Sequence, residues 1–331
     1  MPWAQRGYVQ MDEQLLVKEA SDWKDIASTQ TPKTRLQQQV KNGKRTVRGD
    51  GFEVTFDDST GIIHSLCYQG EDIFLPGCGP QIDALRAPVD NDNWFYTQWY
   101  PNGLHNLAHK ASGVSAKAQK NGALAISYTI TSQGRRKGEI RGGSSGRYSI
   151  VEGEEMKPAD FHFTTNIVYT VYPDGSIELE SSIVSSDPAL VLPRLGYYMQ
   201  LPKSIDQYTY YGRGPLNNYA DRKTGSFVAQ YKSSVGEQFV PFPKPQSIGN
   251  REEVRWCALT NAQGHGAQFI STTLMSTSAL PWSAMEMTLA PHPSELPEPT
   301  ATHLHLDCQV TGLGGNSCGQ GGPLGKDRVR G

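Results

Sequence analysis

Two stretches of this 331-residue sequence gather side chains able to do chemistry. In RAPVDNDNWFYTQWYPNG, Arg86 to Gly103, the carboxylates Asp90 and Asp92 stand among three asparagines and five aromatic rings. Aromatic faces beside carboxylates and amides suit a sugar, whose C–H patches stack on rings while its hydroxyls need directional partners. The same mixture suits a corner where a β-protein crosses between sheets, and both readings stay open on this string. In THLHLD, His303 and His305 share one face of a strand with Asp307. That pattern offers a metal pair without an evident third ligand, or an acid and a base for the ring oxygen and anomeric hydroxyl of a sugar.

A third stretch, YYGRGPLNNYADRKTG, places Tyr219, Asp221 and Arg222 after a turn fixed by Gly212, Gly214 and Pro215. It reads as a loop pinning two sheets, as a rim meeting a ligand or a neighbouring domain, or as both. Other chemistries fall away. No Gly-x-Ser-x-Gly occurs, so a nucleophile elbow is not encoded. The run GLGGNSCGQGG, Gly312 to Gly322, is followed by Pro323 rather than a helix, so it does not read as a phosphate cradle. Its glycines suit close approach of backbone to another surface. Asp90, Asp92 and Asp221 are candidates for acid or base work, but no local pair would flank one sugar ring.

The elements that must position these residues read as β-structure. Glycine (34) and proline (21) punctuate short apolar runs. From Asp50 onward, GFEVTFDDSTGIIHSLCYQGEDI, ALAISYTITS, FHFTTNIVYTVYPDGSIELESSIV, GYYMQL, EVRWCALTNAQGHGAQFIS and AMEMTLAP predict strands and hairpins. Helical spacing occurs only between Trp94 and Ala108, and GRRKGEIRGGSSGR, Gly134 to Arg147, reads as a flexible loop. So many strands imply a large sandwich of extended antiparallel sheets. Residues 31–50 are polar and basic, like a solvated linker. With 31 basic and 33 acidic residues the net charge is −2, which recruits neither nucleic acid nor an anionic membrane. No run reaches the ~18 apolar residues of a membrane span and no leader peptide is recognisable, so a soluble chain is expected, with its compartment open. The five cysteines show no close pairing and read as free thiols.

Four strings in order, RAPVDND, YGRGPLNNYADR, PFPKPQSIGNREEVRW and LHLDCQVTGLGGNSCG, resemble the carboxy-terminal domain of large β-galactosidases of glycoside hydrolase family 2. The opening WAQRGYVQMDEQ is similar to the end of the immunoglobulin-like domain that precedes it there. The resemblance implies residues 1–30 as a leftover strand of that domain, 31–50 as a linker, and 51–331 as an all-β, galactose mutarotase-like supersandwich lacking its last strand. It implies a multi-domain retaining hydrolase whose two glutamates sit on a separate barrel, leaving this portion inert alone. Magnesium and sodium ions of the family would bind mainly elsewhere, with no cofactor here. The implied partners are a galactoside, the barrel and a homo-oligomer.

By the same resemblance Arg86, Asp90, Asn91, Asp92, Tyr219, Asp221, Arg222, Asn250 and His303 form the substrate rim or the domain contact, with the aromatics of 94–100 filling that contact. The sequence departs from the family at Asn217 and Ser247, where acidic residues are usual, and at His303, where a pocket tryptophan is usual. An autonomous aldose mutarotase using His303 or His305 with Asp307, and a carbohydrate-binding module, are the alternatives.

Overall fold

The computed structural model describes residues 5–9, 11–18, 35–94, 96–142, 147–315 and 321–331. A five-stranded antiparallel sheet opens the domain with β1 (Gln37–Lys41), β2 (Lys44–Gly49), β3 (Phe52–Asp57), β4 (Ile62–Tyr68) and β5 (Glu71–Asp72). Next come β6 (Gln81–Asp83), the one-turn helix α1 (Tyr96–Trp99), β7 (Leu107–Ala118) and β8 (Leu124–Gly134). The hairpin β9 (Arg136–Gly142) and β10 (Tyr148–Glu155) follows, then β11 (His162–Val171) and β12 (Ile177–Ser185). The last third holds β13 (Val191–Leu192), β14 (Arg194–Pro202), β15 (Gln207–Gly214), β16 (Phe227–Ser234), β17 (Arg251–Thr260), β18 (Gly266–Leu280), helix α2 (Ala284–Leu289), β19 (Ala301–Val310) and β20 (Val329–Arg330).

Strands β12-β11-β8-β7 make a second sheet, and β16-β15-β17-β18-β19-β14-β6 make a seven-stranded third. Alternation explains the layering: along β8 every second residue, including Ile126, Tyr128 and Ile130, is buried. One core takes Val47 and Phe56 from the first sheet, Ile126 and Tyr169 from the second, and Met199, Tyr208, Cys257 and Leu304 from the third. The all-β supersandwich expected from the sequence is what these sheets build. Two tyrosines tie the first two sheets together, Tyr169 donating to Gly61 O at 3.2 Å and Tyr68 to Gly175 O at 2.5 Å. A second core of Ile82, Trp99, Tyr100, Phe163, Leu192 and Val329 lies beneath the 90–104 segment.

Four expectations change. The linker expected over 31–50 is, from Gln37, a hairpin turning at Asn42 and Gly43, both with positive φ. Two of its basic residues meet acidic partners on β3 and the turn after it: Lys44 pairs with Asp57 at 2.6 Å and Arg45 with Asp58 at 2.9 Å. The expected flexible loop after Gly134 is largely the β9–β10 hairpin, with Lys137 opposite Glu154 at 2.7 Å and Ile140 and Ile150 against the second core. AMEMTLAP, expected as a strand, carries α2, because Ser283 and Glu286 form a reciprocal capping box at its start. Trp99 and Tyr100, expected to fill a contact with another domain, are fully buried in the chain's own second core, where Trp99 donates to Val191 O at 3.1 Å.

Of the residues expected to carry a strand of a preceding domain, 5–9 and 11–18 are described and form no strand; the others lie outside the described residues. After the glycine-rich turn the chain re-enters the fold as β20, paired with β13. Among the described residues no helix is long and apolar enough to cross a membrane.

Candidate functional site

The loops that link the third sheet gather at one rim, and the glycine-rich turn is what they hold. Arg86, on the segment leaving β6, donates to Thr311 O and, at 3.3 Å, to Gly312 O. Its remaining charge is met by Asp92 at 2.7 Å, which also accepts from Val89 N at 2.9 Å. A buried guanidinium needs such a partner, and a buried carboxylate needs its lone pairs filled. From the far side Asp221 accepts from Leu313 N at 3.1 Å and Gly314 N at 2.7 Å, while Arg222 donates to Gly314 O. Glycine is required here on two counts. Gly314 has φ 73°, and a Cβ on Gly312 would stand 2.6 Å from Asp221 Cγ. Asn91 is equally close, since a Cβ on Gly315 would stand 2.7 Å from its Nδ2.

The other two segments join through the YYGRGP loop. Buried Tyr219 lies beneath Arg86, whose guanidinium is 6.0 Å from the ring centroid, and its hydroxyl meets Ser247 at 3.2 Å. Asn250 donates to Asn218 O and to Glu252 Oε1, both at 2.8 Å. His303 projects from β19 into a depression lined also by Arg86, Arg194, Ser247, Ser278 and Trp282. Eight of the nine expected residues thus stand around this rim; the ninth, Asp90, is exposed at the start of a short 3-10 turn. Sequence reasoning missed Asn218, whose Oδ1 accepts from Glu252 N at 2.8 Å, and also Arg194, Tyr198 and Glu286. The capping pattern Ser-x-x-Glu at Ser283 was the available signal for Glu286.

Beneath the depression lies a buried ionic group. Arg194 is 2.9 Å from Asp307, and Asp83 is 3.6 Å from His305 Nδ1. Burial raises the Asp83 carboxyl to about 6 against the pull of Arg194, and raises Asp307 to about 7, again against Arg194. His305 is driven well below its ordinary range by burial and by Arg194, so it is neutral. His303 is lowered by burial, with Glu286 at 3.8 Å opposing. Tyr198 stands 2.5 Å from His303 Nδ1 and stacks on the ring at 5.9 Å, which fixes the imidazole. Asp307, at 1% exposure, is sealed with Arg194, so the acid–base couple expected of a mutarotase has no open face toward a sugar. Among the described residues no three His, Cys, Asp or Glu side chains converge as a metal ion would require.

This is a large antiparallel sandwich whose crossover loops lock into one polar ledge. A family model described as the beta galactosidase small chain matches residues 48–330, and the chain belongs to that family. It is 27% identical over 320 residues to a beta-galactosidase of Priestia megaterium (strain DSM 319 / IMG 1521), covering 96% of this chain and 28% of that relative. Against the beta-galactosidase of Lactobacillus delbrueckii subsp. bulgaricus it is 25% identical over 326 residues, covering 97% of this chain and 28% of the relative. The chain therefore spans little more than a quarter of these relatives. Among solved structures, a putative aldose 1-epimerase from Escherichia coli K12 aligns with 90% of this chain and 94% of its own, at 10% identity and a TM-score of 0.35.

Proposed function

We propose that this chain is the carboxy-terminal part of a retaining glycoside hydrolase acting on terminal β-galactosides, and that its ledge walls one side of a sugar pocket completed by a catalytic barrel. The observation that carries this reading is that the segments around 90 and 219 hold one glycine-rich turn while Arg86 also lines, with those around 248 and 303, the depression beside them. The depression beside His303 has room for about one water molecule, far below the few hundred Å³ a sugar-sized ligand needs, so the ledge requires an outside surface to make a pocket.

In this reading the chain's residues position and exclude water; they do not cleave. A retaining mechanism needs two carboxyl groups about 5 Å apart with a sugar between them. Three carboxylates at or beneath the ledge are otherwise engaged: Asp92 with Arg86, Asp221 with two backbone amides, Asp307 with Arg194. Asn91, Arg222 and His303 supply donors on the ledge, and the Tyr198 contact leaves His303 Nε2 on the side of Glu286, 3.8 Å away.

The test is hydrolysis of nitrophenyl β-D-galactopyranoside by this chain alone and by the polypeptide in which it is joined to the segment encoded before it. Activity only in the joined protein, lost when residues 35–331 are deleted, is the expected result. A joined protein inactive on every β-galactoside, or one unaffected by the deletion, would overturn the reading.

A further inference from the structure

Strand β6 is the short end of the seven-stranded sheet, joined to β14 through Gln81–Tyr198, Ile82–Tyr197 and Asp83–Gly196. Just past its end, Arg86 holds the glycine-rich turn. Gly196 meets a second acid on its other side, Asp307 of β19. Residues paired across a ladder show their side chains on one face, so the two carboxyls flank a position with no side chain of its own. Asp307 leans into that gap: a Cβ on Gly196 would stand 2.6 Å from its Oδ1. Arg194, on the same strand as Gly196 and 2.9 Å from Asp307, is the cation that acts on both acids. The other neighbours bring no second positive charge to the pair. On β19 His303 and His305 are held toward the neutral form by burial, and burial likewise keeps the Tyr198 phenol and the Cys78 thiol protonated. Beyond Asp307, Ser276 of β18 donates to Glu252 of β17 at 2.7 Å, and Lys223 is 3.7 Å from that carboxyl. Glu286 of α2 is itself acidic, and Arg86 is matched by Asp92 at 2.7 Å.

Two carboxylates around one guanidinium leave an excess negative charge out of water, which a protein interior tolerates poorly. A single proton removes it. Asp307 has 0% of its side chain exposed and Asp83 has 20%, so Asp83 is the door through which that proton passes. We propose that Asp83 and Asp307 hold one proton between them, that it seats β6 against β14, and that its loss on raising the pH draws Asp83 toward water and loosens the Arg86 end of the ledge. Burial raises both carboxyls above their unfolded range, so the folded form binds the extra proton and the latch is present in acid. It is lost as the pH climbs through about 6 to 7. The two acids titrate as a couple rather than singly.

Amide hydrogen exchange of the full chain at a series of pH values from about 5 to 8 tests this. Once the intrinsic pH dependence of exchange is divided out, protection of residues 81–86 in the wild type should fall on the order of 10-fold across that range, while the β8–β11 ladder stays constant. In Asp83→Asn, uncharged at every pH, protection of 81–86 should stay flat. Wild-type protection that ignores pH, or a fall that persists in Asp83→Asn, overturns the proposal. Carbon-13 NMR of the aspartate carboxyls gives a second reading, with the Asp307 signal assigned by its loss in Asp307→Asn. The midpoint of Asp307 should move down in Asp83→Asn, because the like charge across Gly196 is gone. A midpoint left in place would show two independent acids and remove the shared proton.

Discussion

Asp221 shows how much of the ledge rests on single carboxylates. It fills two backbone donors of the glycine-rich turn from a fully buried position. Asp221→Ala leaves both amides without a partner, and each such loss costs on the order of 1–3 kcal/mol. We expect urea unfolding to show a loss of about 3 kcal/mol, with Asp221→Asn losing less because one acceptor remains. Asp83 gives a pH signature. Its folded pKa of about 6 lies above the unfolded 3.8, so its contribution is present at low pH and is lost as pH rises toward 6. Relative to Asp83→Asn, the wild type should lose about 2 kcal/mol between pH 4 and 7.5, measured by denaturant midpoints at each pH. A difference that stays flat across this range would show the carboxyl to be ordinary. The buried histidines act with the opposite sign. His109, lowered to about 4 by burial and by Arg135, and His305 stay neutral when folded, so their contribution is present above about 6.5 and lost on acidification.

Helix α2 owes its existence to its first turn. Its 6 residues are too few to be helical alone, so the Ser283–Glu286 box and packing decide. At its other end Lys244 donates to the carbonyls of Met287, Thr288 and Ala290 at 2.7–2.9 Å. Ser283→Ala should cost about 1 kcal/mol in thermal or chemical denaturation. In the β14–β19 ladder Gly196 is the tight point, because any Cβ there overlaps Asp307 Cα and Leu306 O. Gly196→Val should cost about 2 kcal/mol or more and broaden the unfolding transition, as overpacking does. These elements also mark where the sequence was readable. Alternation in ALAISYTITS and the turns PDG and DDSTG placed β8, the β11–β12 hairpin and the β3–β4 hairpin, because side-chain period and turn chemistry are local. AMEMTLAP misled because Met285, Met287 and Leu289 alternate with Glu286 and Thr288 as they would along a strand, and KNGKRTVRG misled because its charges meet their partners only across the ladder. Arg194 and Asn218 were invisible for the same reason: their partners lie 84 and 34 residues away along the chain.

At the scale of the whole molecule, one core drawing on three sheets implies one cooperative unit. Unfolding followed by tryptophan fluorescence and by far-UV circular dichroism should give coincident midpoints; separated midpoints would divide the first sheet from the third. The five- and four-stranded sheets cannot stand apart from the seven-stranded one without exposing Ile126, Tyr169, Met199 and Leu304 together. Cys257 sits in that shared interior at 0% exposure, its thiol pushed up to about 12 by burial. Alkylating reagents attack the thiolate, so this sulfur stays inert while the sheets are closed. Its carbamidomethylation rate under iodoacetamide therefore keeps time for the slowest opening of the protein, a chemical clock that runs without any added probe.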